Sequence, residues 1–311
     1  MIVTIIVFVV GVALLVKGAD LFVGGGSGLA FRYSISPALI GSTIIAFGTS
    51  LPELVVSTNA AATGNSGITL GNVIGSNIAN IALVLALCTF IRPGMVAASG
   101  TSRSALTRHT VLMLVATAAF ALLAVRGTLD ALAGAVFLIL FAGILVVLLR
   151  EGREGRDVEI ESHGWADALY IGLGIVAVII GAQLVVDSAV ALAEVFGIPA
   201  FVIGVSVVAV GTSLPELATS VVAAVRDEGS ISIGNILGSN IFNLLLVLGI
   251  SLLLAPATVG SPVDIIVVVL FSIAILPLLF ARPSVVRGWS ALLLLGYAAY
   301  IAWSFGAVPI G

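Results

Sequence analysis

Ten apolar runs follow one another along the chain, each near the roughly 20 residues a helix needs to cross a hydrocarbon core. They cover 2–23, 36–62, 68–91, 105–125, 129–149, 165–193, 199–225, 231–255, 262–281 and 287–305. Short polar pieces separate them. The longest, Arg150 to His163, mixes three arginines with five acids and reads as a solvated hinge between two halves. The first run lacks a basic leader and a small-residue cleavage site, so it reads as a spanning helix rather than a signal peptide. No stretch is long and polar enough for a second, soluble domain.

Composition sharpens this picture. Of 311 residues, 60% are hydrophobic and 9% charged, against about 25% charged in soluble domains, and the mean hydropathy is +1.30. The pattern predicts an all-α, polytopic membrane protein embedded in the lipid bilayer. A net charge of −3 offers no nucleic-acid footprint. The single Cys88 excludes a disulfide framework and a cysteine-based zinc site, and only His109 and His163 are left for histidine chemistry.

Basic residues orient the spans. Loops after odd-numbered spans hold Arg32, Arg92, Arg103, Arg108, Arg150, Arg153, Arg156, Arg226, Arg282 and Arg287, whereas the other side holds only Arg126. The positive-inside rule then puts both termini outside the cell membrane and the 151–163 loop in the cytoplasm.

An internal repeat divides the chain. Residues 46–80 (AFGTSLPELVVSTNAAATGNSGITLGNVIGSNIAN) align without a gap on residues 209–243 (AVGTSLPELATSVVAAVRDEGSISIGNILGSNIFN), with 19 of 35 positions identical at an offset of 163. Two halves, 1–150 and 164–311, would each carry five spans. Five is odd, so the second half enters the membrane inverted relative to the first. Inverted repeats characterise secondary transporters, with the substrate site at the midplane where the repeats meet.

Glu53 and Glu216 fall in the middle of apolar spans, where a carboxylate costs at least about 2.5–3.5 kcal/mol and marks function. Each belongs to a GTSLPE segment, so spans 2 and 7 are expected to break there. The prolines remove a backbone donor and free carbonyls near Ala46, Phe47 and Gly48, and near Ala209, Val210 and Gly211. Carbonyls, hydroxyls and a carboxylate make an all-oxygen lining, which suits a hard cation such as Ca²⁺. Ser76 and Asn80 share one helix face, as do Ser239 and Asn243, and both pairs are expected to line the site. Asn72, Asn77, Asn235 and Asn240 read more readily as partners for freed backbone groups. Gly71 and Gly75, like Gly234 and Gly238, have the small-xxx-small spacing of closely packed helices. Two carboxylates match one divalent or two monovalent cations.

The GTSLPE segments at 48–53 and 211–216, with GSN-I-x-N at 75–80 and 238–243, resemble the sodium/calcium exchangers of the cation/calcium antiporter superfamily. The resemblance implies an antiporter, not an enzyme, with Ca²⁺ and Na⁺ as cargo and no cofactor or obligate protein partner. It implies Glu53 and Glu216 as carboxylates shared by both ions, and carbonyl oxygens of Thr49 and Thr212 in the Ca²⁺ site. Ser50, Ser76, Ser213 and Ser239, with the carbonyls of Ala46 and Ala209, would complete the Na⁺ sites, and helices 1 and 6 would slide to alternate access. Asn243 departs from the Asp often found there in similar prokaryotic exchangers, leaving two acids instead of three. Ca²⁺/H⁺ exchange and K⁺-coupled Ca²⁺ exchange are the nearest alternatives. A cation channel would need a filter loop, which the sequence does not resemble, and an enzyme would need a nucleophile–base pair or a metal-ligand cluster.

Other residues have plainer readings. Lys17 and Asp20, three apart near the cytoplasmic end of helix 1, form a snorkelling, locally paired couple, with a part in gating as the alternative. Asp187 is expected at an external helix end, His109 at the interface, and Cys88 as a small apolar filler. Gly24, Gly25 and Gly26 suggest a flexible helix end. Trp165, Tyr297, Tyr300 and Trp303 fit an aromatic belt.

Overall fold

The computed structural model describes residues 1–98, 102–151, 164–196, 211–260 and 262–307. Its helices are α1 (Ile2–Arg32), α2 (Pro37–Thr49), α3 (Leu51–Ala62), α4 (Ser66–Ile91), α5 (Arg103–Ala124), α6 (Ala131–Glu151), α7 (Ala166–Val195), α8 (Leu214–Val225), α9 (Gly229–Leu254), α10 (Pro262–Phe280) and α11 (Pro283–Ala307). Among the described residues, eight helices are long and apolar enough to cross a membrane, and the bent α2–α3 pair makes a ninth span. The helix α8 is the second part of the expected span 199–225, whose first part lies outside the described residues. The hinge at 152–163 lies outside them as well. The only described strands, β1 (Thr128–Leu129) and β2 (Ala257–Thr258), pair antiparallel and tie two loops together.

Local chemistry starts and bends the helices. Ser36 accepts the Leu39 N–H at 3.2 Å and Pro37 opens the first turn of α2, a capping arrangement that satisfies an orphan donor with a preset φ. Ser102 caps α5 in the same way through the Ala105 N–H. Between α2 and α3 the axis turns by 46° at Ser50, where Pro52 lacks the N–H that would bond the Gly48 carbonyl. Ser213 repeats the break: its φ and ψ of −88° and 4° match the −85° and 6° of Ser50. Wide π-turns follow in α4 at Asn80–Leu85 and in α9 at Phe242–Val247, where the 163-residue offset also lands. Such turns displace the backbone register and recur at functional sites.

Helices α4 and α9 form the centre. Their spanning windows are 72% and 83% buried, against 22% for α1 and for α7. The main apolar core joins α4 and α9 to α5, α6, α10 and α11 through residues such as Ile78, Leu85, Phe120, Phe137, Leu245 and Val268. The α1–α7 pair lies outside that core: Leu15, Ala19, Val178 and Ala182 form a small cluster, and Phe22, Val23 and Ala30 of α1 pack on Ile40, Ile45, Ala223 and Ile231 of α2, α8 and α9. Glycines bring α1 and α7 into near backbone contact. A Cβ added at Gly18 would lie 2.7 Å from the Val178 N, one at Gly174 2.6 Å from the Phe22 N, and one at Gly181 2.5 Å from the Leu15 N. Close approach of this kind drives helix association in lipid, where burial of apolar surface offers no advantage.

Several expectations are corrected by this packing. Helix α1 does not loosen at Gly24–Gly26 but continues to Arg32. Gly25 fits against Ile171 of α7 and Gly26 against Ile45 of α2, so these glycines serve close contact instead of flexibility. Asp187 lies inside α7 and accepts a bond from Gln183 at 2.8 Å, away from any helix end. His109 is buried beside Ala38, Ser230 and Gly234, because α5 packs directly on the central helix α9. Tyr297 is buried too, while Trp165 and Trp303 are exposed. Cys88 is fully buried, a small filler as expected.

The close seam makes a direct test. Gly181→Val should destabilise the protein by about 1–3 kcal/mol, the usual range for overpacking, and lower its melting temperature in detergent. Gly172→Ala on the same helix, where a Cβ meets nothing within 4 Å, should leave the melting temperature within a degree or two of wild type.

Candidate cation site

The two breaks place their acids at the heart of the molecule. Glu53 sits in the first turn of α3 and Glu216 in the first turn of α8, and both are 0% exposed. Each has one oxygen that the protein satisfies and one that it does not. The Ser76 hydroxyl faces Glu53 Oε1 at 3.4 Å and the Ser50 hydroxyl donates to Glu216 Oε1 at 3.2 Å. Glu53 Oε2 and Glu216 Oε2 are buried without a protein partner.

Around the acids runs a ring of amides and hydroxyls that crosses between the halves. Thr49 donates to Asn235 Oδ1 at 3.1 Å, and Thr212 donates to Asn72 Oδ1 at 3.3 Å, the same bond at the repeat offset. The amide nitrogens complete the pattern: Asn72 donates to Ser57 Oγ at 2.9 Å and Asn235 to Ser220 Oγ at 3.0 Å. Asn72 also reaches the Glu53 carbonyl at 3.3 Å. The expectation of a backbone partner holds for Asn72, through the Glu53 carbonyl, and not for Asn235, which bonds the Thr49 and Ser220 hydroxyls; both pin a broken span to its opposite number. Ser57 and Ser220 escape the motif reading, although they are identical in the two repeats and lie one turn beyond each Glu.

Ser76, Asn80, Ser239 and Asn243, the residues expected to line the site, are each buried. Asn80 donates to Asn240 Oδ1 at 3.0 Å, which leaves Asn80 Oδ1 unpartnered. Neither polar atom of Asn243 has a protein partner, and the Ser213 hydroxyl lacks one too. Ser239 lies 3.3 Å from the Thr49 hydroxyl. Asn77 bonds the Val73 carbonyl of its own helix at 2.8 Å. The Ala46 carbonyl is less free than the proline argument implies. It accepts the Ser50 N–H at 3.0 Å and the Thr49 hydroxyl at 3.3 Å, so an ion there would displace the hydroxyl. Ala209 lies outside the described residues.

Close helix contact holds the ring in place. An added Cβ at Gly41 would lie 2.6 Å from the Ile231 carbonyl, and one at Gly238 2.6 Å from the Ser42 carbonyl. The first arm of the broken span thus lies flat on α9, which brings Thr49 to Asn235 and Ser239. This bears out the small-residue spacing of Gly234 and Gly238; the segment that would face Gly71 and Gly75 by the same symmetry falls outside the described residues.

Among the described residues no three His, Cys, Asp or Glu side chains converge, so a cation here draws the rest of its shell from neutral oxygens. Hydroxyls, amide carbonyls and two carboxylates in a dry interior form a set for hard cations such as Ca²⁺ and Na⁺. An oxygen-lined centre at a helix break within a multi-pass helical protein defines a membrane transporter of cations.

Comparison with known proteins narrows the class. The profile of the sodium/calcium exchanger protein family matches residues 3–150 and 167–306. The chain belongs to the sodium/calcium exchanger family. It is 34% identical to the inner membrane protein YrbG of Escherichia coli over 320 residues, covering 97% of each chain. It is 31% identical over 303 residues to the sodium/calcium exchanger MaX1 of Methanosarcina acetivorans, covering 83% of this chain and 85% of MaX1. A solved structure of the sodium-calcium exchanger NCX_Mj, soaked with Na⁺ and Ca²⁺, superposes with a TM-score of 0.85 at 31% identity, covering 97% of this chain and 98% of that one. The protein is thus a cation/calcium exchanger and not an enzyme.

Partnered and unpartnered amides should respond differently to mutation. Asn235→Ala strands the Ser220 hydroxyl and removes the Thr49 bond between the halves, and should cost about 1–3 kcal/mol, seen as a lower melting temperature with or without ions. Asn243→Leu removes only unsatisfied atoms, and should keep the ion-free melting temperature while shrinking the upward shift that Ca²⁺ produces.

Proposed function

We propose that the protein is a secondary active antiporter that exchanges Na⁺ for Ca²⁺ by alternating access and extrudes Ca²⁺ from the cell. The observation that carries this reading is the pair of buried carboxylates, each with an unpartnered oxygen, in a centre otherwise built of neutral oxygens. Ca²⁺ and Na⁺ would compete for Glu53 and Glu216. Ser50, Ser76, Ser213 and Ser239, together with oxygens of Thr49, Thr212, Ala46 and Ala209, would divide the remaining positions between the two ions, with Asn80 and Asn243 at the margin. The names of MaX1 and NCX_Mj support sodium as the coupling ion.

Coupling follows from charge. An empty centre with two bare carboxylates is costly to carry past apolar surface. One Ca²⁺ or two Na⁺ cancel that charge, so the protein moves when loaded and stays when empty, which separates an exchanger from a leak. The moving part would be the α1–α7 pair, tightly joined along its own glycine seam and lying outside the main apolar core. The halves 1–150 and 164–311 would form the inverted repeat of ten spans, consistent with the family profile matching in two stretches. The arginine distribution supports a cytoplasmic 151–163 loop and external termini.

The test is Ca²⁺ uptake into proteoliposomes loaded with Na⁺, K⁺ or acid. Uptake should require internal Na⁺; uptake driven by acid alone would transfer the protein to proton coupling. Glu53→Gln and Glu216→Gln should each reduce exchange by more than about tenfold, equivalent to 1.4 kcal/mol or more. Both variants should elute as folded protein on size exclusion. Full activity in either would remove that carboxylate from the site.

A further inference from the structure

Two crevices flank the α1–α7 pair, and the repeat offset maps one onto the other. The first, of about 500 Å³, runs between α1 and α8 from Leu214 beside the site to Arg226 at the end of α8, with Val16 and Asp20 on its α1 wall. The second, of about 680 Å³, runs between α3 and α7 and reaches Thr212, with Ile179 and Gln183 in the positions of Val16 and Asp20. The two differ at their outer ends.

Across the first crevice stands an ion pair. Arg226 Nε lies 3.1 Å from Asp20 Oδ1, and its Nη1 donates to the Asp20 carbonyl at 3.0 Å. A Cβ added at Gly24 would come within 3.0 Å of that Nη1, so the guanidinium rests over a glycine that makes room for it. The expected local pair is thereby replaced: among the described residues Asp20 takes its cation from another helix, and no bond joins it to Lys17. Arg226 itself stands on an anchored loop. The adjacent Asp227 pairs with Arg92 at the end of α4, and Arg92 Nη1 donates to the carbonyls of Ala224 at 3.0 Å and Val225 at 3.3 Å. The pair therefore ties α1, through the 226–227 loop and Arg92, to the end of α4.

The other face has no counterpart among the described residues. The repeat offset places Thr63 and Gly64 where Arg226 and Asp227 stand, and Gln183 where Asp20 stands. Gln183 spends its amide on Asp187 of its own helix.

We propose that Asp20–Arg226 is a latch that holds α1 to the body on one membrane face and biases the exchanger toward opening on the other. This rests on the alternating-access reading. For the first crevice to widen, α1 must leave α8 and the guanidinium must let go of both the carboxylate and the carbonyl. No such bond restrains the second crevice among the described residues. On the arginine distribution, the latched face is the cytoplasmic one.

Labelling of a cysteine placed in each crevice by a small, water-soluble maleimide tests the latch. The background is Cys88→Ala, with Val221→Cys reporting on the first crevice and Val55→Cys on the second, in purified, ion-free protein. Arg226→Gln, Asp20→Asn and Gly24→Val should each raise labelling at Val221→Cys by about two- to fivefold, the range expected from half-exposed ion pairs. Each should lower it at Val55→Cys. Combining Asp20→Asn with Arg226→Gln should add nothing to Arg226→Gln alone, since Arg226→Gln already removes both the ion pair and the bond to the Asp20 carbonyl. Unchanged labelling at Val221→Cys in a folded Arg226→Gln protein would overturn the latch, and so would a rise at both positions, which marks general loosening. Labelling needs no transport, so this result stands apart from the outcome of the Ca²⁺ flux experiment.

Discussion

Two carboxylates buried to zero exposure, each with an oxygen that no protein group satisfies, dominate the energetics of this molecule. A buried charge without a partner is among the most expensive features a protein can carry. The surrounding architecture makes it tolerable. Each acid follows a break in the helix, at Ser50 or Ser213, so that the Glu falls in the first turn of a new helix, near the positive end of its dipole. A ring of Thr, Ser and Asn side chains then fixes the breaks against each other through the matched Thr49–Asn235 and Thr212–Asn72 bonds. Those bonds still leave one oxygen of each Glu, the Asn80 side-chain carbonyl, the Ser213 hydroxyl and the Asn243 side chain without a protein partner.

The same requirement explains the division into a rigid centre and an attached pair. A centre of closely placed oxygens needs dense packing, and α9 supplies it, pressed close to the first arm of the broken span at Gly41 and Gly238. Movement requires the reverse. The α1–α7 pair concentrates its close contacts along its own glycine seam, which on the alternating-access proposal would let the two helices shift as one body without losing their mutual contact. The seam lies where apolar burial against lipid offers no driving force, which is why glycines take the place that leucines would hold in a water-soluble bundle.

Much of the site is legible in the amino-acid sequence. A charged residue inside an apolar run has few explanations, and its appearance twice in one motif leaves fewer still; Glu53, Glu216, Ser76 and Ser239 stand out on that ground. Harder to read are residues whose role depends on a partner distant in the chain. Asn72 and Asn235 look like backbone partners because their cross-half hydroxyls lie 140 and 186 residues away. Asp20 looks paired with Lys17 because proximity along the chain is the only proximity a sequence displays, whereas Arg226 is 206 residues distant. The three glycines of α1 look like a flexible end because a glycine run in isolation signals freedom, and only a neighbouring helix turns it into a contact surface.

Periodicity and hydropathy are enough for the all-helical, multi-pass class, for the repeat, for the breaks at GTSLPE and for the acids, since each follows from the cost of placing polar groups in an apolar run. Which hydroxyl faces which carboxylate, which carbonyl stays free and which crevice is bridged depend on distances between segments far apart in the chain. Ala46 shows the difference: proline chemistry marks its neighbourhood as a source of free carbonyls, yet the local bend hands its oxygen to Ser50 and Thr49. Local sequence sets the cost of each polar group, and tertiary packing alone selects the partner that offsets it.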